Sequence, residues 1–175
     1  MATVRLLVLG VLNLKQEAHG YAIVQVLRDW NVEAWADIKI GSIYHALKQL
    51  QHEEKLSCLG TTTSQVGPSK TRYRLTPAGE AHFFELLKQA LTSIKLEDFS
   101  AGLPFLQTLP THTLQDLLAQ QHHTLQNFQV ALQRLTPPAE YADQPPHTAT
   151  IISLWQSQLT AMRSWNEGFR QTLTK

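Results

Sequence analysis

Four polar residues on one helical stretch carry the chemistry that this sequence offers most plainly. Ser42, His45, Lys48 and Gln49 interleave with Ile43, Leu47 and Leu50, which recur at i, i+4 and i+7. At 3.6 residues per turn, the apolar three seat one face on a core and the polar four fall on other faces. A hydroxyl, an imidazole and a carboxamide can donate to or accept from base edges, and an ammonium can donate to them. The DNA major groove admits one helix and is read by such groups near that helix's N-terminus. Tyr44 is ambiguous: its ring can pack beside the core while its hydroxyl reaches a phosphate.

Charge gathers in the same region. Between Lys39 and Leu75 the cations are Lys39, Lys48, Lys55, Lys70, Arg72 and Arg74, against Glu53 and Glu54, a local +4 in a chain whose net charge is only +1. Neutralising phosphates requires such a local footprint. A solvated charged hairpin would read the same way from charge alone.

Other chemistries find less support. The adjacent His122 and His123 point to different sides of a helix, and no histidine pair stands at i, i+4. With one cysteine in the chain, no zinc-type cluster is expected, and no metal or cofactor. Glu97 and Asp98 are neighbours without acid–base geometry. No phosphate loop, dinucleotide fingerprint or nucleophile elbow occurs, so no catalytic residue is expected and the chain reads as no enzyme. Cys58 is expected to be a packed thiol on a strand. Trp30, Trp35, Phe105, Phe128, Trp155 and Trp165 could line a pocket for a planar effector, or simply fill the core and a dimer interface.

Elements must position these groups. At 43% hydrophobic and 17% charged, the 175-residue chain is globular rather than disordered. Val4, Leu7, Val8, Val11 and Leu12 repeat at helical spacing. This apolar run is shorter than a membrane span and reads as a buried first helix, so no membrane partner and a cytoplasmic location are expected. Asn13 to Gly20 reads as a loop, Tyr21 to Trp30 as a helix, and Asn31 to Lys39 as a loop with at most a short turn. Gly41 and Ser42 open the third helix, with Ser42 as N-cap or first-turn residue. Leu56, Cys58 and Gly60 alternate as a strand, and Thr71, Tyr73 and Leu75 as a second; Gly67, Pro68 and Ser69 mark the turn between them. Thr76 then caps a helix with Pro77 at its first position, running to about Lys95. Breaks follow at Ala101–Pro104 and Leu109–Thr111. Leu114–Leu135 and Thr148–Leu173 read as long helices, joined by a proline-rich linker over 136–146.

Three motifs resemble the PadR family of transcriptional regulators. His19-Gly20-Tyr21 looks like that family's HGY. Gly41-Ser42-Ile43-Tyr44, followed by Ala46, Leu47 and Leu50, looks like its recognition helix. Tyr73-Arg74-Leu75-Thr76-Pro77-Ala78-Gly79 looks like its junction from wing strand to fourth helix. Together they cover about residues 4–92. The chain departs from the family's usual pattern at Ile40 and His45, where proline is frequent, and near Lys55, where glycine is frequent. The later half resembles the C-terminal helical region of the virulence-activator-like branch, which makes the dimer there. The resemblance also implies that some members sense phenolic acids or drugs.

The expectation is therefore a mainly α protein with a small β-hairpin. A winged helix-turn-helix DNA-binding domain spans 1–96 and a C-terminal helical dimerisation region spans 97–175. Its function reads as transcriptional repression, as a homodimer on a palindromic operator in double-stranded DNA, with release by a small aromatic effector. The DNA-binding set is Tyr21, Lys39, Ser42, Tyr44, His45, Lys48, Gln49, Ser69, Lys70 and Arg72. The alternative is a winged-helix module that binds protein and not DNA.

Overall fold

The computed structural model describes residues 2–62, 70–134 and 147–173, and divides into two compact units, Met1–Ala90 with Glu97–Phe105, and Leu91–Leu96 with Leu106–Lys175. The fold is mainly helical, with one small antiparallel sheet. Among the described residues no helix is long and apolar enough to cross a membrane. The proline-rich stretch 136–146 and the turn at Gly67–Ser69 lie outside the described residues.

The first unit is built around α1 (Ala2–Lys15), in which every residue from Leu6 to Leu12 is buried. A helix buried on all sides must receive partners all round. Gly10 makes room for one of them: a Cβ there would lie 2.2 Å from the ring of Phe105. That ring has no exposed surface. It meets Phe83 edge-on at 5.5 Å and Trp30 at 5.7 Å between centroids. The short helix α6 (Leu96–Gly102) and the 3-10 helix that follows it (Leu103–Thr108) deliver Phe105 to this core.

The segment expected as a loop after α1 contains a strand, β1 (Glu17–His19), followed by α2 (Gly20–Asp29). Three residues are too few to display a period of two, so only pairing with a neighbour reveals the strand. Between Asn31 and Lys39 a helix appears, α3 (Val32–Ala36). It is bounded by Asn31 and Asp37 at φ of 54° and 48°, left-handed positions that Asn and Asp tolerate better than most residues. Helix α4 (Ile40–His52) starts one residue before Gly41. Lys39 is its cap residue and makes no side-chain cap bond, while the Ser42 N–H donates to the Lys39 carbonyl at 2.9 Å. Ser42 is thus a first-turn residue and not the cap.

The hairpin is β2 (Leu56–Thr62) and β3 (Lys70–Leu75), and β1 completes the sheet in the order β1-β3-β2. Cys58 pairs with Tyr73 but Thr61 with Thr71, so β2 carries one extra residue. Gly60, at φ of +132°, sits in this bulge. The expectation that Cys58 is packed fails: its thiol is exposed, because β2 is an edge strand whose burial stops at Leu56.

Helix α5 (Pro77–Leu91) begins as its sequence demands and ends short of Lys95. The Thr76 hydroxyl accepts from the Gly79 N–H at 3.1 Å and donates to the Glu54 carbonyl at 2.7 Å. Phe83, Leu86, Leu87, Ala90 and Leu91 are buried at i, i+3, i+4, i+7 and i+8.

The second unit pairs α7 (Thr111–Arg134) with α8 (Thr148–Thr172). Its seam is narrow: Leu114, Leu118, Leu125 and Leu132 on one helix, Ile152, Leu159 and Met162 on the other. Two polar residues share it. Asn166 donates to the Leu118 carbonyl at 3.0 Å and to Gln121 Oε1 at 2.7 Å, and Gln121 donates to the Ser93 carbonyl at 3.0 Å.

Gly79 tests the junction between hairpin and α5. A Cβ there would lie 2.0 Å from the Lys55 carbonyl oxygen, whereas one at Gly41 meets nothing within 4 Å. Gly79→Ala should lower stability by about 3 kcal/mol, and Gly41→Ala should raise it by about 0.5–1 kcal/mol. Paired denaturation curves check the opposite signs.

Candidate nucleic-acid interface

Helix α4 separates its two faces cleanly. Ile43, Ala46, Leu47 and Leu50 are buried, while Ser42, Tyr44, His45 and Lys48 are exposed and Gln49 is half-buried. The amphipathic spacing of the sequence is therefore realised: one stripe seats the helix and the remaining faces present donors and acceptors to solvent. Lys39 is exposed at the start of the same helix, where unpaired backbone N–H groups favour an anion. Between α1 and α4 runs a recess of ≈ 360 Å³, lined by Val4, Arg5, Gly41, Ser42, His45, Ala46 and Gln49.

The start of α2 packs beside this face. A Cβ on Gly20 would meet Tyr44, Leu47 and Tyr73 at 3.5–3.6 Å, ordinary van der Waals distances, so these three side chains surround the start of α2. Tyr44 is 43% exposed: its ring lies beside Gly20 and part of it faces solvent. Tyr21 is exposed and stacks on His19 at 5.7 Å with 16° between the rings. Tyr73 is buried, and that burial pushes its phenol above the usual range.

The cations divide into two kinds. Arg72 and Arg74 both pair with Glu17, each at 3.0 Å. Lys55 pairs with Glu53 at 2.8 Å, and Arg5 grips the same carboxylate with two nitrogens, one at 2.7 Å. Lys39 and Lys48 form no ion pair among the described residues. The backbone of Lys70 lies in β3, but its side chain and the whole of Ser69 lie outside the described residues. Sequence reasoning missed Glu17 and Arg5 as partners of this cluster. Glu17 sits in a stretch read as a loop, and Arg5 lies 48 residues from Glu53.

The six aromatic residues read as an effector set fall in different places. Phe105 is core of the first unit, and Trp30 contacts it edge-on. Trp35 is half-buried and donates to the Trp30 carbonyl at 2.9 Å, closing the α3 turn. Phe128, Trp155 and Trp165 belong to the second unit and are 40–47% exposed, and Trp165 stacks on Phe169 at 5.0 Å. Among the described residues, no three His, Cys, Asp or Glu side chains converge on a common point.

Residues 8–85 match the model of the transcriptional regulator PadR-like family. No curated protein matches the chain. Among solved structures, Bacillus subtilis PadR in complex with operator DNA is 21% identical over 97% of this chain and 98% of that one, with a TM-score of 0.41. The same protein in complex with p-coumaric acid is 19% identical over 99% of each chain, with a TM-score of 0.39. The PadR-like transcriptional regulator BC1756 from Bacillus cereus is 21% identical over 97% of this chain and 94% of that one, with a TM-score of 0.38.

The Arg5–Glu53–Lys55 cluster ties α1 to the end of α4. The Arg5 bond, then the Lys55 bond, hold the Glu53 carboxyl down to about 2 from 4.5. A depressed carboxyl stabilises the fold above its unfolded value and ceases to do so as pH falls through its folded value. Glu53→Gln should therefore melt below the wild type at pH 7, and the gap should close between about 4.5 and about 2. Because the carboxylate is 37% exposed, the gap should stay under about 1 kcal/mol. Thermal melts across that range measure it.

Proposed function

We propose that the chain, whose residues 8–85 match the PadR-like family model, represses transcription by binding a palindromic operator in double-stranded DNA as a homodimer. The observation that carries this reading is the two-faced α4, with Ile43, Leu47 and Leu50 buried and Ser42, Tyr44, His45 and Lys48 exposed. Helix α4 lies in the major groove, with Ser42, His45, Lys48 and Gln49 toward base edges. Lys39, Tyr21 and Tyr44 flank it toward phosphates, and the hairpin brings Ser69, Lys70 and Arg72 to the backbone of the duplex. Residues 1–96 carry this activity, with Glu97–Phe105 closing their core.

Residues 97–175 supply the dimer. Ile151, Leu154, Trp155 and Trp165 lie within a single stripe of α8 and are 44–67% exposed in the single chain. An apolar stripe of this kind needs a cover, and a second copy is the commonest one. Two DNA-binding units related by a twofold axis then match a palindrome whose half-sites lie about one helical turn apart.

Two experiments test the reading. Genome-wide capture with the purified protein supplies the operator. On it, Lys48→Ala or His45→Ala should each cost about 1–3 kcal/mol of binding per lost base contact while changing stability by no more than about 0.5 kcal/mol. Leu47→Ala should instead lose about 2–5 kcal/mol of stability, because its seat is the core. Full affinity in both polar variants would remove α4 as the reader. For the dimer, Leu154→Glu with Trp155→Glu in the full chain should yield a folded monomer by light scattering. An unchanged dimer would place the interface elsewhere.

A further inference from the structure

Two of the wing's cations are already engaged. In the ladder between β1 and β3, Glu17 stands opposite Arg74 and His19 opposite Arg72. The Glu17 carboxylate accepts from Arg72 Nη1 through one oxygen and from Arg74 Nη2 through the other, each at 3.0 Å. Arg72 and Arg74 are two residues apart on a strand and so share a face. The three side chains keep 37–56% of their surface exposed, so this is an open charge cluster and not a buried bridge. The Arg74 bond, followed by the Arg72 bond, holds the Glu17 carboxyl below its usual value, so it is charged at neutral pH.

Holding the sheet together is a weak explanation for this arrangement. Exposed ion pairs contribute little to stability, and β1 is already fixed to β3 by its backbone ladder. The larger effect is on charge. One carboxylate reduces two adjacent cations to a net +1 on the face of a hairpin that the proposed function turns toward phosphates.

We infer that Glu17 limits the wing's attraction for DNA by competing with phosphates for Arg72 and Arg74. The inference rests on the DNA-binding reading. Phosphate contacts add affinity without sequence information, so the restraint acts equally on every duplex. It caps non-specific binding and leaves base reading to α4.

The test is fluorescence anisotropy of the full chain across a salt series, on the captured operator and on a random-sequence duplex about three helical turns long. Glu17→Gln should bind both more tightly by the same factor, about three- to tenfold at low salt. Its log–log salt slope should steepen by about 0.9 for each phosphate newly neutralised. Adding Arg72→Ala and Arg74→Ala to that variant should abolish the gain, which a merely structural role would not produce. If the glutamine variant melts early, Glu17→Thr, which suits a strand, gives the same reading. Unchanged or weaker binding by these variants, with a wild type that binds duplex normally, overturns the inference and leaves the DNA reading standing. A wild type that binds neither duplex at low salt overturns both.

Discussion

Gly79 and the Lys55 carbonyl meet so closely that no side chain fits between them, and this contact sets the geometry around it. The Lys55 N–H closes on the Leu50 carbonyl at 2.9 Å, ending α4. The Lys55 carbonyl accepts from the Thr76 N–H at 3.1 Å, ending β3. The Thr76 hydroxyl then caps α5 and bonds the Glu54 carbonyl. Four elements thus begin or end within one cluster of backbone hydrogen bonds. The hairpin cannot move without α4, and the exposed face of α4 is held in a fixed relation to the wing.

The same cluster explains why the third motif has its form. Threonine is needed for the cap, proline suits the first helical position, and glycine is required by the carbonyl opposite. Tyr73, two residues before Leu75, faces inward onto Gly20, which leads α2. A Cβ on Gly20 would make only ordinary van der Waals contact, whereas at Gly79 the backbone meets a neighbour directly. Gly10 does the same for the ring of Phe105. Two close approaches, at Gly10 and Gly79, therefore help to fix α1, the hairpin and α5 around one core, with Phe105 buried in it.

The second unit relies on a different device. Its seam carries few apolar residues, and Asn166 and Gln121 sit among them fully buried. Their bonds reach the Leu118 and Ser93 carbonyls, so they tie α8 to α7 and α7 to the segment before it. The Asn166 and Gln121 amide nitrogens find these acceptors in one alignment only, while Asn166 Oδ1 is left without a partner among the described residues. Sliding the helices by a turn would strand both amides, a cost that apolar residues alone would not impose.

Much of this was written in local patterns. The stripe Ile43, Leu47 and Leu50 gave α4 and its buried face, because helical period alone decides which side chains share a side. Thr76-Pro77 announced α5, and the alternation around Tyr73 announced β3, since caps and pleats act over a few residues. Long-range pairing was not written there. Strand β1 exists only because β3 lies beside it, and α3 because Val32 finds a buried seat. Phe105 read as pocket lining or as core until Gly10 and Phe83 closed on it. Arg72 and Arg74 counted as free cations until the fold brought Glu17 to them across more than fifty residues of sequence. Local sequence determined the elements and their faces, because those depend on neighbours three or four residues away. Which charges cancel and which rings are buried was decided by the tertiary structure, because both depend on contacts between residues that no local pattern links.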